Sequence, residues 1–157
     1  MITTLFFDLD DTVWNPRPAL IAADRAQWQS IKDQHPGIAA NIDRELINTV
    51  RETVIHKTPS LTENVSDLRL SVMRELLRHQ GLSDNQADQS ADAAFDCFMA
   101  KRNDVELFDD AHDALSMLSE RYQLAAITNG NADVHKTSLG RYFSFALRAD
   151  QVGVAKP

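Results

Sequence analysis

Residues 3–12 read Thr-Thr-Leu-Phe-Phe-Asp-Leu-Asp-Asp-Thr, and the break between Phe7 and Asp8 decides the fold. The β-branched and apolar run over 3–7 predicts a short buried strand that ends abruptly on a carboxylate. The pattern returns at Leu124-Ala-Ala-Ile127, which runs into Thr128-Asn129-Gly130. Phe143 to Leu147 offers a third strand. A helix is expected over 109–120, opened by Asp109 and Asp110, and a short helix or turn over 132–140. Strands alternating with helices imply an α/β protein with a parallel sheet and right-handed crossovers. Chemistry in such sheets gathers beyond the carboxyl ends of the strands, where Asp8 and Thr128 both fall.

A polar turn with Asn15, Pro16 and Pro18 follows the first strand. The stretch from about 18 to 103 then has helical periodicity and no convincing strand. The first helix spans 18–34, with Leu20, Ile21, Trp28 and Ile31 on one stripe, and Pro36-Gly37 ends it. A second lies near 41–56, with Leu46, Val50 and Val54. A third lies near 66–79, with Leu68, Val72, Leu76 and Leu77, closed by Gly81. A fourth spans 84–101, with Ser83 as its N-cap. Four amphipathic helices on short loops predict a small bundle. The expected division is a core made of 1–16 and 104–157, with a helical insert over 17–103.

Composition narrows the function. The 157 residues are 43% hydrophobic and 25% charged, as in an ordinary globular protein. A net charge of −7 argues against a nucleic-acid surface. It leaves phosphate-bearing substrates open, because a metal and a few local cations outweigh global charge. No apolar run approaches the roughly 18 residues of a membrane span. Residues 1–8 lack the basic start and cleavage site of a signal peptide. Cys97 is the only cysteine, so no intramolecular disulfide forms, and a reducing cytoplasm is expected.

Asp8, Asp10 and Asp11 crowd three carboxylates into four residues. Such crowding is costly unless positive charge sits there. Side chains alternate at a strand end, so Asp8 and Asp10 can share a side. That pair suits a divalent cation with hard oxygen ligands. A carboxylate so placed can attack phosphorus, and a second can protonate the leaving oxygen and then activate water. The competing reading is a polar loop of capping aspartates. A calcium loop does not fit, because Val13 and Ala19 stand where it needs Gly and Glu.

Phe6-Phe7-Asp8-Leu9-Asp10-Asp11-Thr12 resembles the first motif of the haloacid dehalogenase (HAD) superfamily. The resemblance implies a Rossmann-like core, with Asp8 as nucleophile and Asp10 as general acid/base. It implies Mg2+ held by Asp8 and by Asp10 through its backbone carbonyl. Thr128-Asn129-Gly130 could be a simple turn, since Asn-Gly is a turn signal anywhere. A hydroxyl and an amide at a strand-to-helix turn also make a phosphate cradle. The resemblance favours the cradle, with Thr128 and Asn129 binding phosphate. Lys156 read alone is a solvated surface charge. In the family such a lysine holds both nucleophile and phosphate by charge. It implies that the insert over 17–103 is a four-helix cap closing over the site.

Asp10 favours phosphate esters, since dehalogenating members lack the second aspartate. The expected function is therefore a magnesium-dependent phosphomonoester hydrolase working through an aspartyl-phosphate on a small phosphorylated metabolite. The wider run Asn15-Pro16-Arg17-Pro18, Ala126-Ile127-Thr128-Asn129-Gly130-Asn131-Ala132 and Leu147-Arg148-Ala149 is similar to a narrower group. Those are bacterial capped phosphatases acting on the riboflavin precursor 5-amino-6-(5-phosphoribitylamino)uracil and on flavin mononucleotide. A non-catalytic phosphoryl-binding or regulatory protein is the main alternative. A phosphotransferase or mutase is the other, although mutases usually carry Gly-Val where Asp11-Thr12 stands.

The family's fourth motif, a Gly-Asp whose acid completes the metal shell, has no counterpart, because the sequence contains no Gly-Asp pair. The sheet is expected to lack its C-terminal strands, and the chain alone to turn over slowly or not at all. Arg17, Arg69 and Arg102 are the candidates for contacting substrate, against the plainer expectation of exposed helix arginines. Trp14 and Trp28 could stack on a flat base, but core packing suits them better. The five histidines show no ligand spacing. A monomer or homodimer is expected.

Overall fold

A computed structural model describes residues 2–156. Strand β1 (Thr4–Phe7) leads into a tight loop and a two-residue strand, β2 (Trp14–Asn15). The helical stretch comprises α1 (Pro16–Gln34), α2 (Pro36–Ala39), α3 (Arg44–Lys57), α4 (Val65–His79) and α5 (Asp84–Arg102), with a 3-10 turn at Pro59–Glu63. The chain returns through β3 (Glu106–Leu107), α6 (Ala111–Ser119), β4 (Gln123–Thr128), β5 (Phe143–Arg148) and α7 (Ala149–Val152).

The main sheet is parallel, ordered β1-β4-β5. Phe7 lies opposite Ala126, and Thr128 opposite Arg148, so all three strands finish at one end. One sheet face packs Leu124, Ala126 and Phe143 against Leu115 of α6, with Leu9, Val13 and Trp14. The other face stays open: Phe6 is 57% exposed and Phe145 38%, their rings meeting edge to face. The buried strand expected at 3–7 is therefore an edge strand, half-covered.

The helices begin where their caps dictate. Asn15 accepts from the Arg17 N–H ahead of Pro16, which opens α1. The Asp43 side chain accepts from the Leu46 N–H, so α3 starts at Arg44, not near 41. Ser83 and Gln86 form a capping box on α5. Pro36 and Gly37 open α2 as well as ending α1. Asp109 and Asp110 precede α6, which starts at Ala111. The turn over 132–140 resolves into 3-10 turns at Val134–Lys136 and Gly140–Tyr142. Two further apolar clusters lie among the helices, one around Ile31, Met73 and Leu77, the other around Val54, Leu68 and Leu76. The buried stripe of α5 is Ala87, Ala91, Ala94, Phe98 and Arg102. Its small residues let α1 approach closely, and its last member arrives at the end of the sheet where the strands finish. Among the described residues, no helix is long and apolar enough to cross a membrane.

Candidate active site

Asp8 follows β1 directly, and Thr128 closes the neighbouring β4, so adjacent parallel strands deliver both to one edge. Lys156 Nζ sits 2.8 Å from Asp8 Oδ1 and donates to the Ile127 carbonyl at 2.9 Å. The Leu9 N–H also donates to Asp8 Oδ1, at 2.8 Å. Burial pushes the Asp8 carboxyl up. The Lys156 ammonium, the Leu9 N–H and the Thr128 hydroxyl outweigh that and hold it below its ordinary value. Asp8 is thus a charged, accessible carboxylate, its side chain 43% exposed. Thr128 Oγ1 accepts from the Gly130 N–H at 3.0 Å, which turns the backbone after β4.

Asn129 does something the sequence does not suggest. Its carboxamide accepts from the Lys156 N–H at 2.7 Å and donates to the Lys156 carbonyl at 3.1 Å. It clasps the lysine's backbone and so aims the ammonium at Asp8. Pro157 lies outside the described residues.

Asp10 lies in a tight loop, where Asp11 accepts a left-handed φ of 58°. The Thr12 and Val13 N–H groups both donate to the Leu9 carbonyl. The loop feeds β2, which pairs antiparallel with β3 through Trp14 and Leu107. This ribbon was not expected, because two-residue strands carry too little pattern to detect. It drives Trp14 into the core, fully buried, and its Nε1–H donates to Asp10 Oδ1 at 2.7 Å. Trp14 is therefore both core and site.

The three candidate arginines separate. Arg102, a candidate for contacting substrate against the plainer reading of an exposed helix arginine, is buried at 1% exposure. Its Nη2 donates to both Asp10 oxygens, at 2.8 and 2.6 Å, and its Nε to Asn131 Oδ1 at 3.0 Å. The signal was present in the sequence: Arg102 follows Phe98 by four and so continues the buried stripe. Arg69 lies over the Phe98 ring, 4.0 Å from its centroid, and bonds Asp24 and Gln27. Arg17 is exposed on an adjoining cleft beside Asp11 and Asn15, which shares Arg69 with the neighbouring cavity. That cavity, of about 480 Å³, runs from Asp10 and Gly130 into the helices, past Arg102, Arg69, Phe98 and Trp28. It matches the usual size of a small-molecule site.

Magnesium is bound through one or two carboxylates while keeping several waters. Asp8 brings an accessible carboxylate, and the backbone carbonyl of Asp10 is a second hard oxygen. The Asp10 carboxylate is already taken by Arg102 and Trp14. Among the described residues, no three His, Cys, Asp or Glu side chains converge on one point. The donor set suits part of a magnesium shell, with the carbonyl and not the side chain of Asp10 as ligand.

The family model for haloacid dehalogenase-like hydrolase matches residues 2–157. The 5-amino-6-(5-phospho-D-ribitylamino)uracil phosphatase YigB of Escherichia coli K12 is 33% identical over 156 residues, with 99% of this chain covered. The chain spans 65% of that relative's length. A crystal structure described as a 2-haloacid dehalogenase from Pseudomonas syringae pv. tomato DC3000 superposes with a TM-score of 0.93 at 35% identity, covering 100% of this chain and 68% of that one. A crystal structure of YfnB from Bacillus subtilis, described as a HAD-hydrolase and solved bound to magnesium, shares the fold at a TM-score of 0.56 and 19% identity, over 99% of this chain and 67% of its own.

Proposed function

The chain belongs to the haloacid dehalogenase-like hydrolase family, and on that premise we propose that it forms the nucleophile side of a magnesium-dependent phosphomonoesterase. One observation carries the reading. Asp8, Thr128 and Lys156, far apart in sequence, meet at one end of the sheet, and Asp10 packs against Gly130 in the turn that follows Thr128. In this reading 1–16 and 104–157 form the catalytic core, and 17–103 form the cap that selects the leaving group.

The geometry supports the following chemistry. The charged Asp8 carboxylate attacks phosphorus in line with the ester oxygen. Thr128 and the Lys156 ammonium hold the non-bridging oxygens, and Asn129 keeps the lysine in place. Asp10 enters the step carrying a proton on Oδ2, the oxygen with Arg102 as its single partner, and gives that proton to the departing alcohol as the P–O bond breaks, so that Arg102 then holds the carboxylate that remains. Asp10 then takes a proton from water, whose oxygen attacks the aspartyl-phosphate and releases phosphate. Mg2+, held by Asp8 and the Asp10 carbonyl, would neutralise the phosphate charge that otherwise repels Asp8.

The substrate proposed is 5-amino-6-(5-phosphoribitylamino)uracil or flavin mononucleotide. The relative named for the former supports this, as does a cavity carrying Trp28, Phe98 and unpartnered donors on Gln27 and Arg102. A small metabolite in the cytoplasm is the setting. The structural relative described as a dehalogenase supports a second reading, halide release from 2-haloacids. Asp10 weighs against it. Phosphate release from the two proposed substrates, with and without magnesium, and halide release from 2-chloropropionate decide between them. Halide without phosphate would overturn the phosphatase reading.

A further inference from the structure

Burying a guanidinium is costly unless its N–H groups are paired, and Arg102 spends two of its three nitrogens in a specific way. Nη2 holds both oxygens of Asp10, while Nε is fixed by Asn131. Asn131 donates in turn to Ser66 Oγ at 3.2 Å, and Ser66 Oγ donates to Asp150 Oδ2 at 2.8 Å. A continuous run of side chains thus joins the loop after β1, the end of α5, the loop after β4, the start of α4 and α7. On Asp10, Oδ1 already accepts from both Trp14 and Arg102, and Oδ2 accepts from Arg102 alone. Gly130 closes the other side. A Cβ there would collide with Asp10 Oδ2 and stand 3.1 Å from Arg102 Nη2. The glycine of Thr128-Asn129-Gly130 is therefore the room in which this ion pair sits.

We propose that Arg102 is a positioning residue for Asp10: with Trp14 and Gly130 it fixes the carboxylate so that Oδ2 faces the leaving-group oxygen, and through α5 and Asn131 it ties that placement to the seating of the helices. The inference rests on the reading of Asp10 as the general acid. An aspartate's terminal torsion is otherwise broad. A general acid must come within about 2.6–3.2 Å of its target. A misplacement of about 1 Å costs on the order of 100-fold. Lysine cannot reproduce the fork that bonds Asp10 and Asn131 together.

The test uses the protein expressed from its complete reading frame, with Arg102→Met, Arg102→Lys and Gly130→Ala. Two esters are compared: flavin mononucleotide, whose alcohol needs a proton to leave, and p-nitrophenyl phosphate, whose phenolate does not. Arg102→Met is expected to lower kcat on flavin mononucleotide by on the order of 100-fold. It should lower kcat on p-nitrophenyl phosphate far less, with KM little changed on both. Arg102→Lys should recover part of the loss, and Gly130→Ala should fall in the same direction. If Arg102→Met does not fold, these two carry the comparison. Equal losses on both esters, or none on either, overturn the proposal. A readout without substrate accompanies it: the Trp14 indole N–H resonance, assigned with Trp28→Phe, should shift in Arg102→Met and move back in Arg102→Lys. An unmoved resonance contradicts the clamp. A wild type that hydrolyses neither ester refutes the phosphatase reading, and that result is distinct from uniform losses in an active enzyme.

Discussion

Asp11 holds φ at 58°, in the left-handed region where only Gly, Asn and Asp are tolerated without much strain. Its neighbours' backbone bonds close the loop that carries Asp10, so the residue type matters here for conformation and not for charge. Asp11→Gly should leave stability nearly unchanged, and Asp11→Val should cost about 1–2 kcal/mol in urea unfolding. Asp8 makes a prediction about acid. Burial raises its pKa, but Lys156, Leu9 and Thr128 hold it below the ordinary value. A depressed folded-state pKa contributes stability above the unfolded pKa, and that contribution is lost as pH falls through the folded one. The stability advantage of wild type over Asp8→Asn should therefore persist at neutral pH and shrink below about pH 4. Urea midpoints at several pH values check this; a constant difference contradicts it. Removing Asp10 strands a buried guanidinium, so Asp10→Ala should cost about 3–5 kcal/mol in the same assay. At this scale the strand-end positions of Asp8 and Thr128 were legible, because each ends an apolar run, and Asp10 follows Asp8 by two. The second role of Asn129, clasping the Lys156 backbone, was not. Nothing local marks a carboxamide whose partner lies 27 residues away.

At the scale of elements, periodicity located α1, α3, α4 and α5; the caps moved the starts of α1, α3 and α4, while α5 starts at Asp84 behind Ser83 as expected. The polar members of the buried stripes carry the information that periodicity alone passes over. Gln27 falls in line with Ala19, Ala23 and Ile31 on α1. Arg102 ends the stripe of α5. Both line the cavity. The ribbon of β2 and β3 escaped detection because its pairing is tertiary, made between segments about ninety residues apart. The close approach of α1 and α5 rests on alanines with no exposure, Ala23, Ala91 and Ala94. Ala91→Leu should overpack that seam and cost about 1–3 kcal/mol, read as a fall in the midpoint of thermal unfolding. An unchanged midpoint would mean that the seam is looser than described.

At the scale of the whole molecule, the order strand, helices, strand, strand was readable because the chain alternates cleanly between two periods. The consequence that matters is that three strands finish together and α5 ends beside them. Residues from 8 to 156 thereby meet in one place. The openness of one sheet face, with Phe6, Phe145 and Leu147 exposed, was less legible, since an apolar strand reads the same whether one or both faces are covered. The central claim is that Asp8 becomes covalently phosphorylated. The direct measurement is to quench the protein in acid during turnover of flavin mononucleotide with magnesium, reduce the acyl phosphate with borohydride, and map the product by peptide mass spectrometry. The account predicts homoserine at position 8 in the wild type and none in Asp8→Asn, which should also release no phosphate. Phosphate released at the wild-type rate by Asp8→Asn, or turnover with no modification at residue 8, would contradict it.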